Sequence, residues 1–342
     1  MSEPSASRAS QPAPLEPTHT DSVSVIATVL NEADSIDRLV DSLMNQRLAP
    51  SEVVIVDGGS TDGTWERLER AKLKYPRLLA IRDDSCRLER SPGPISRGRN
   101  VAIAATSSDV IACVDAGCSY EPDWLENLTA TIRNGEAQYA LGGSCMSPED
   151  STVWDLAAAP FLGVKLRADA KTKSCTARSM AFRKKLWQRV GGFPEDRFFG
   201  EDTMFDMKAR AIAAPAFVDR AKAVYRPHLK FRVAVRQLAS YALSDGISGI
   251  RPARFLRNLG RCLLDVAAIL LLPRTVIPLC FVIALELYFA FHFELGPVRG
   301  RGLRAIAARL LYSVCVPWVV AWNQLKGAIT EANKPNRQNV SS

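Results

Sequence analysis

Four short stretches of this sequence combine residues suited to chemistry. Asn31-Glu32, Asp57-Gly58-Gly59-Ser60 and Asp115-Ala116-Gly117 each close a short apolar run, and Glu201-Asp202 follows a Gly-Gly-Phe-Pro-Glu segment. Acids and small residues on neighbouring strand ends can converge on a nucleotide. Carboxylates then hold the base, the ribose or a metal ion, and glycines let the backbone approach closely. The turn DGGSTDGT has neither the GxGxxG spacing of a dinucleotide site nor the GxxxxGK[ST] of a P-loop. Alone, such a turn is more often loop punctuation than a site. Two acids in the first turn of a helix are likewise favoured by the helix dipole without any further role. What gives these stretches weight is where the surrounding elements put them.

Val23–Leu30 is a β-branched run of buried-strand type, and Ile36, Leu39, Val40, Leu43 and Met44 then recur at helical spacing. Asp34 or Ser35 is placed to cap that helix. A second strand is predicted at Val53–Val56, a helix at about Trp65–Leu73, a strand at Leu78–Ile81, a helix at Ser96–Ala105 and a strand at Val110–Val114. After Thr176 the pattern loosens. It still suggests a strand at Met180–Phe182, helices at Lys185–Val190 and Glu201–Ala211, and a last strand at Ala216–Tyr225. Alternating buried strands and amphipathic helices imply an α/β fold with a mostly parallel sheet and helices on both faces. Ligands of such sheets bind at the carboxyl ends of the strands, where the acidic stretches lie.

The chain has 342 residues, 47% hydrophobic and 23% charged, which excludes a disordered, collagen-like or disulfide-dense protein. Its eight cysteines include no CxxC pair and it has three histidines, which argues against a zinc site and for reduced thiols. Net charge is +8, and the interval Arg226–Arg309 alone carries 13 basic residues against 4 acids. A basic band confined to the most apolar part of a chain points to anionic lipid rather than to nucleic acid. Within it, Cys262–Leu272, Val276–Phe293 and Ala305–Trp322 are nearly free of charge. Eighteen helical residues reach about 27 Å, close to the hydrocarbon thickness of a bilayer. These segments are expected to form membrane-associated or transmembrane helices, with a buried core hairpin as the alternative. Arg299, Arg301 and Arg304 should then face the cytoplasm. The expected organisation is a Ser/Pro/Ala-rich disordered tail at 1–21 with no signal-peptide character, a catalytic-type domain at 22–230, basic amphipathic membrane-proximal helices at 231–261, apolar helices at 262–326 and a polar tail at 327–342. Residues 151–175 suggest an acceptor-side insertion, with Trp154 and Phe161 as contacts.

Four segments in this order, VSVIATVLNEADSIDRLVDSLMNQ, VVIVDGGSTDGT, SRGRNVAIAATSSDVIACVDAG and GGFPE followed by GED, resemble the family 2 glycosyltransferases of the GT-A fold. The resemblance spans roughly residues 22–230. It implies transfer of a sugar from a nucleotide-sugar donor with inversion at the anomeric carbon. It also implies donor contacts at Asn31, Glu32, Asp57, Arg99, Asn100 and Asp115. Asp57 matches the first acid of a two-acid turn, whose second is Gly58 here. Asp115 matches the first acid of a DxD signature that holds a divalent cation, Mg²⁺ or Mn²⁺, and the diphosphate; the second acid is replaced by Gly117. His228 is a candidate additional metal ligand. Glu201-Asp202 matches the ED motif, in which the Asp is the base. Arg97 and Arg236 are candidates for a phosphate or a lipid head group. The QxxRW motif of polymerising members is absent, the nearest match being Arg236-Gln237 with Tyr241, so a single addition is expected.

The leading expectation is therefore a membrane-associated inverting transferase at the inner face of the cell membrane, its catalytic domain cytoplasmic. It would act on a lipid-linked or polyprenyl-phosphate acceptor in exopolysaccharide, envelope polysaccharide or glycolipid assembly. A catalytically silent nucleotide-sugar-binding or scaffold relative is the alternative, motivated by Gly117. A dinucleotide oxidoreductase shares the sheet type but lacks the glycine fingerprint. No nucleic-acid partner is expected.

Overall fold

A computed structural model describes residues 22–147, 149, 151–162, 164, 175–226, 230–271, 275–292 and 302–333. The tail at 1–21, His228, Arg299, Arg301 and the end of the polar tail lie outside the described residues, as does most of 163–174. The elements in order are β1 (Val23–Val29), α1 (Ile36–Met44), β2 (Glu52–Asp57), α2 (Thr64–Lys74), β3 (Leu78–Arg82), α3 (Pro94–Ala105), β4 (Val110–Cys113), β5 (Cys118–Tyr120), α4 (Trp124–Arg133), β6 (Tyr139–Met146), α5 (Val153–Ala158), β7 (Met180–Arg183), α6 (Lys184–Val190), α7 (Glu201–Arg210), β8 (Ala216–Tyr225), α8 (Phe231–Ile247), α9 (Pro252–Leu271), α10 (Ile277–His292) and α11 (Leu303–Ala332).

The strands form one eight-stranded sheet in the order β3-β2-β1-β4-β7-β6-β8-β5. The fold is α/β, with helices packed on both faces of the sheet. The first four strands are parallel, and their residues alternate between two buried layers. Val25, Ala27 and Val29 point into one layer with Leu39 and Trp124, whereas Ile26 and Val54 point into the other with Ile103 and Phe205. Burial on both faces explains the near-continuous apolar runs of β1 and β2. The other half of the sheet is mixed: β7 runs antiparallel to both β4 and β6, and β5 antiparallel to β8. The strand expected to be last in sequence, β8, lies inside the sheet between β6 and β5.

Two strands and a helix in 118–146 had no clear signature. In β6 the apolar run is broken by Gly142-Gly143. A side chain at Gly142 would meet the Ala221 carbonyl oxygen at 2.0 Å and Ser179 Oγ at 2.1 Å, so packing rather than strand propensity selects glycine there.

The last four helices are not separate from this domain. α11 lays a stripe of Ala308, Tyr312, Val316 and Val320 against Ala234, Leu238 and Ala242 of α8. The two helices touch where Gly246 and Gly327 meet: a Cβ at Gly327 would lie 2.2 Å from the Leu243 carbonyl oxygen. Arg309, buried, donates to the Ala157 carbonyl at 3.0 Å and lies over the Phe161 ring. α9 runs unbroken through residue 261, where composition suggested a change of segment. It is tied to α11 by Arg261 donating to the Ser313 carbonyl at 3.0 Å and by Trp318 donating to Asp265 at 2.9 Å. Among the described residues, α11 is the helix both long and apolar enough to cross a bilayer, and half of its most apolar stretch is buried inside the protein.

Candidate functional site

The carboxyl ends of β1 and β4 and the start of α7 open onto a cleft of about 740 Å³. Its catalytic-type residues are Glu32, Asp115, Glu201 and Asp202, with Arg99 and Arg178 between them. Residues 170 positions apart in sequence thus share one wall.

At the β1 and β2 ends the two loops are stitched together. Asn31 adopts φ 55°, in the left-handed region that Asn tolerates better than most residues. Its N–H donates to Ser60 Oγ at 2.8 Å, and its side-chain oxygen accepts from the Thr61 N–H at 2.9 Å. Asp57 is fully buried, and its carboxylate accepts from the Ser60 N–H and hydroxyl. These bonds close a turn and leave Glu32 on the cleft wall, where burial raises its carboxyl above the ordinary 4.5 despite a hydrogen bond from Ser35.

Arg99, on α3, is 2% exposed and joins two acids from different parts of the chain. Nη2 donates to Asp115 Oδ1 at 2.6 Å and Nη1 to Glu201 Oε1 at 2.8 Å. Burial opposes the Arg99 charge, but these two carboxylates outweigh it and hold the guanidinium above its ordinary range. Burial likewise pushes the Glu201 carboxyl up, against the pull of Arg99. Asn100, the next residue, turns away. Its side-chain oxygen accepts from Trp187 Nε1 and the Phe193 N–H, and its amide donates to the Phe193 carbonyl and Glu195. Arg97 donates to Ser85 and Glu195. Of the residues expected to meet the donor, Glu32, Arg99 and Asp115 line the cleft. Asn31, Asp57, Asn100 and Arg97 brace the loops around it.

Gly200, whose φ of 78° suits glycine, precedes α7, and Ser244 of α8 donates to the Phe199 carbonyl just before it. The helix start delivers two acids with different surroundings. Glu201 is committed to Arg99. Asp202 accepts from its neighbour's N–H at Thr203 (2.6 Å) and from the Ala177 N–H at 3.3 Å, and faces the cleft. Two backbone amides orient it.

Arg178 carries no motif signature and emerges only from the structure. It is half-buried, stacks over the Tyr225 ring at 4.2 Å, and its Nε lies 3.9 Å from Asp115 Oδ2. Tyr241 and Gln237 of α8 also line the cleft, whereas Arg236 lies outside it in a shallow surface depression with Trp154, Lys230 and Arg232. Phe161 lines the cleft, and Trp154 does not. Arg178 sits two residues before β7, in a stretch that no motif marks.

Among the described residues, no three His, Cys, Asp or Glu side chains converge. Asp115 Oδ1 is taken by Arg99, Oδ2 faces Arg178, and Gly117 at φ 71° offers no ligand. One carboxylate flanked by two guanidiniums does not make a protein site for a hard divalent cation, which wants six or more oxygens.

Comparison with known proteins agrees with the motif order. Residues 24–191 match the profile described as glycosyl transferase family 2. Glycosyltransferase AglE of Haloferax volcanii is 28% identical over 199 residues, 55% of this chain and 60% of that protein. The succinoglycan biosynthesis protein ExoA of Rhizobium meliloti is 30% identical over 230 residues, 63% of this chain and 66% of that protein. The chain thus spans just under two thirds of the length of these relatives. Among solved structures, a mannosyltransferase of Pyrobaculum calidifontis in complex with GDP-Man and Mn²⁺ superposes with a TM-score of 0.49 at 20% identity, covering 93% of this chain and 88% of that one. With its strand-end acids in the family's order and its domain matched over 24–191, the chain is a member of glycosyl transferase family 2.

Proposed function

We propose that the protein is an inverting glycosyltransferase that moves one sugar from a nucleotide-sugar to a lipid-linked acceptor at the cytoplasmic face of the cell membrane, in exopolysaccharide, envelope polysaccharide or glycolipid assembly. The observation that carries this reading is the placement of Asp202, a cleft-facing carboxylate oriented by two backbone amides, beside Asp115 and Glu201. In the reaction, Asp202 takes the proton of the acceptor hydroxyl as its oxygen forms a bond to the anomeric carbon. The bond from that carbon to the donor phosphate breaks on the opposite face, and the nucleoside diphosphate leaves with the electron pair. Its developing charge is met by Arg178, a cation held in place by its stacking on Tyr225. Asp115 and Glu32 orient the nucleotide and sugar. Glu201 is a positioning residue, acting through Arg99 on Asp115.

A divalent cation has no protein cage among the described residues, so any cation would arrive with the donor phosphates. Polysaccharide assembly is supported by the similarity to the succinoglycan biosynthesis protein. The membrane setting is supported by α11 and by the exposed apolar residues of α9 and α10.

The test is Asp202→Asn in the full chain. Turnover should fall by about 100-fold or more, the range expected for loss of a general base, while nucleotide-sugar binding stays within about twofold. Absence of binding by the unaltered protein to any donor of a nucleotide-sugar panel would overturn the reading and leave a silent relative.

A further inference from the structure

The cleft does not end at the acidic wall. Its far side is formed by α9, which contributes Arg254, Arg257 and Arg261, with Arg251 just before the helix. Positions 254, 257 and 261 fall on one face at helical spacing. The carboxylate of Asp245, nearly fully buried, accepts from Arg251 at 3.1 Å and from Arg254 at 3.0 Å. Arg257 has no ion pair among the described residues and is exposed to the cleft. Burial, together with the positive neighbours Arg251 and Arg257, holds the Arg254 guanidinium below its ordinary range in spite of Asp245. A cationic row under-compensated in this way favours an anion of more than one charge.

The opposite face of the same helix exposes Leu256, Leu263 and Leu270, spaced by sevens. Apolar side chains also reach the cleft beside the row, namely Phe161, Leu162, Val316 and Val320. Charged head and apolar flank therefore meet at one helix, which is what a phosphate on a hydrocarbon chain would need. In the proposed function the donor's diphosphate lies at the strand ends, with Asp115 and Arg178.

We infer that the arginine row Arg251, Arg254, Arg257 and Arg261 is the subsite for the phosphate or diphosphate of a lipid acceptor, holding its head group in the same cleft as Asp202. This deepens the transferase reading and rests on it for the word acceptor. The row makes no covalent step; it fixes the anchored end so that a hydroxyl of the carried group reaches Asp202.

The test measures binding of farnesyl diphosphate to the full-length detergent-solubilised protein, with inorganic pyrophosphate and farnesol as comparisons. Arg257→Glu removes an exposed, unpaired cation and should weaken farnesyl diphosphate about tenfold or more, as loss of a charge-assisted contact does. Arg257→Lys should restore part of the affinity, and Arg232→Glu, outside the cleft, should change nothing. Nucleotide-sugar binding should be unaffected by Arg257→Glu. The inference is overturned if Arg257→Glu leaves farnesyl diphosphate binding intact, if it weakens nucleotide-sugar binding instead, or if inorganic pyrophosphate binds as tightly as farnesyl diphosphate. If the unaltered protein binds farnesyl diphosphate through Arg257 but no nucleotide-sugar, the subsite stands and the transferase reading fails.

Discussion

Arg99 Nη2 lies 2.6 Å from Asp115 Oδ1, a contact that fastens the end of β4 to α3. The same guanidinium holds Glu201 at 2.8 Å, so one buried cation fixes both acids relative to each other. Sequence similarity expects this arginine beside the donor; the geometry gives it a second task, keeping two like charges on one wall.

Arg99→Met should therefore destabilise the fold by about 3 kcal/mol, because it leaves two acids of a desolvated network without their partner. Urea unfolding of the variant against the unaltered protein reads this directly. A change under about 1 kcal/mol, the range of surface ion pairs, would mean that the network is not structural.

The two acids of α7 separate by readout. Glu201→Ala should lower the melting temperature, since Arg99 loses a buried partner, whereas Asp202→Ala should leave it nearly unchanged and act on turnover. Thermal unfolding followed beside donor hydrolysis checks both. Equal thermal losses in the two variants would contradict the assignment.

Glu32 gives a pH prediction with a definite sign. Its carboxyl in the folded protein lies above the ordinary 4.5 because of burial, so the native state holds its proton more tightly than the unfolded chain. Its contribution to stability therefore falls as pH rises from the ordinary value through the raised one. Glu32→Gln should be more stable than the unaltered protein at pH 7, and the difference should vanish below pH of about 4. A stability gap that grows on acidification would reverse the reading.

Mn²⁺ alone should bind poorly, with a dissociation constant on the order of a millimolar or weaker, since no three ligating side chains converge among the described residues. Binding should tighten sharply when a nucleoside diphosphate is added. Titration followed by the Mn²⁺ paramagnetic resonance signal distinguishes this from a preformed protein site, which would bind equally without nucleotide.

Much of the fold was legible because β1 through β4 are buried on both faces and their helices keep one apolar stripe. β6 was not, since Gly142 answers to Ala221 and Ser179, contacts that no local pattern announces. The site divides the same way. Motif order placed Glu32, Asp115, Glu201 and Asp202 at one end of the sheet, but spacing does not say which way a side chain turns. Asp57 and Asn100 turn inward and spend their polar atoms on Ser60, Trp187 and the Phe193 backbone. Arg178 and the α9 row belong to no motif and become site residues only through tertiary packing.

β8 sits between β6 and β5, and the residues matched to the family end at 191. A gene fragment cut at that limit would lose Asp202 and pull an interior strand from the sheet, leaving the β6 edge unpaired and prone to associate with other chains. Extending the fragment to 230 restores the sheet but strips away α8, whose Ser244 supports the turn before Gly200. The smallest piece that can be produced as a working unit is thus set by mechanics rather than by similarity, and it reaches through the glycine crossing at Gly327.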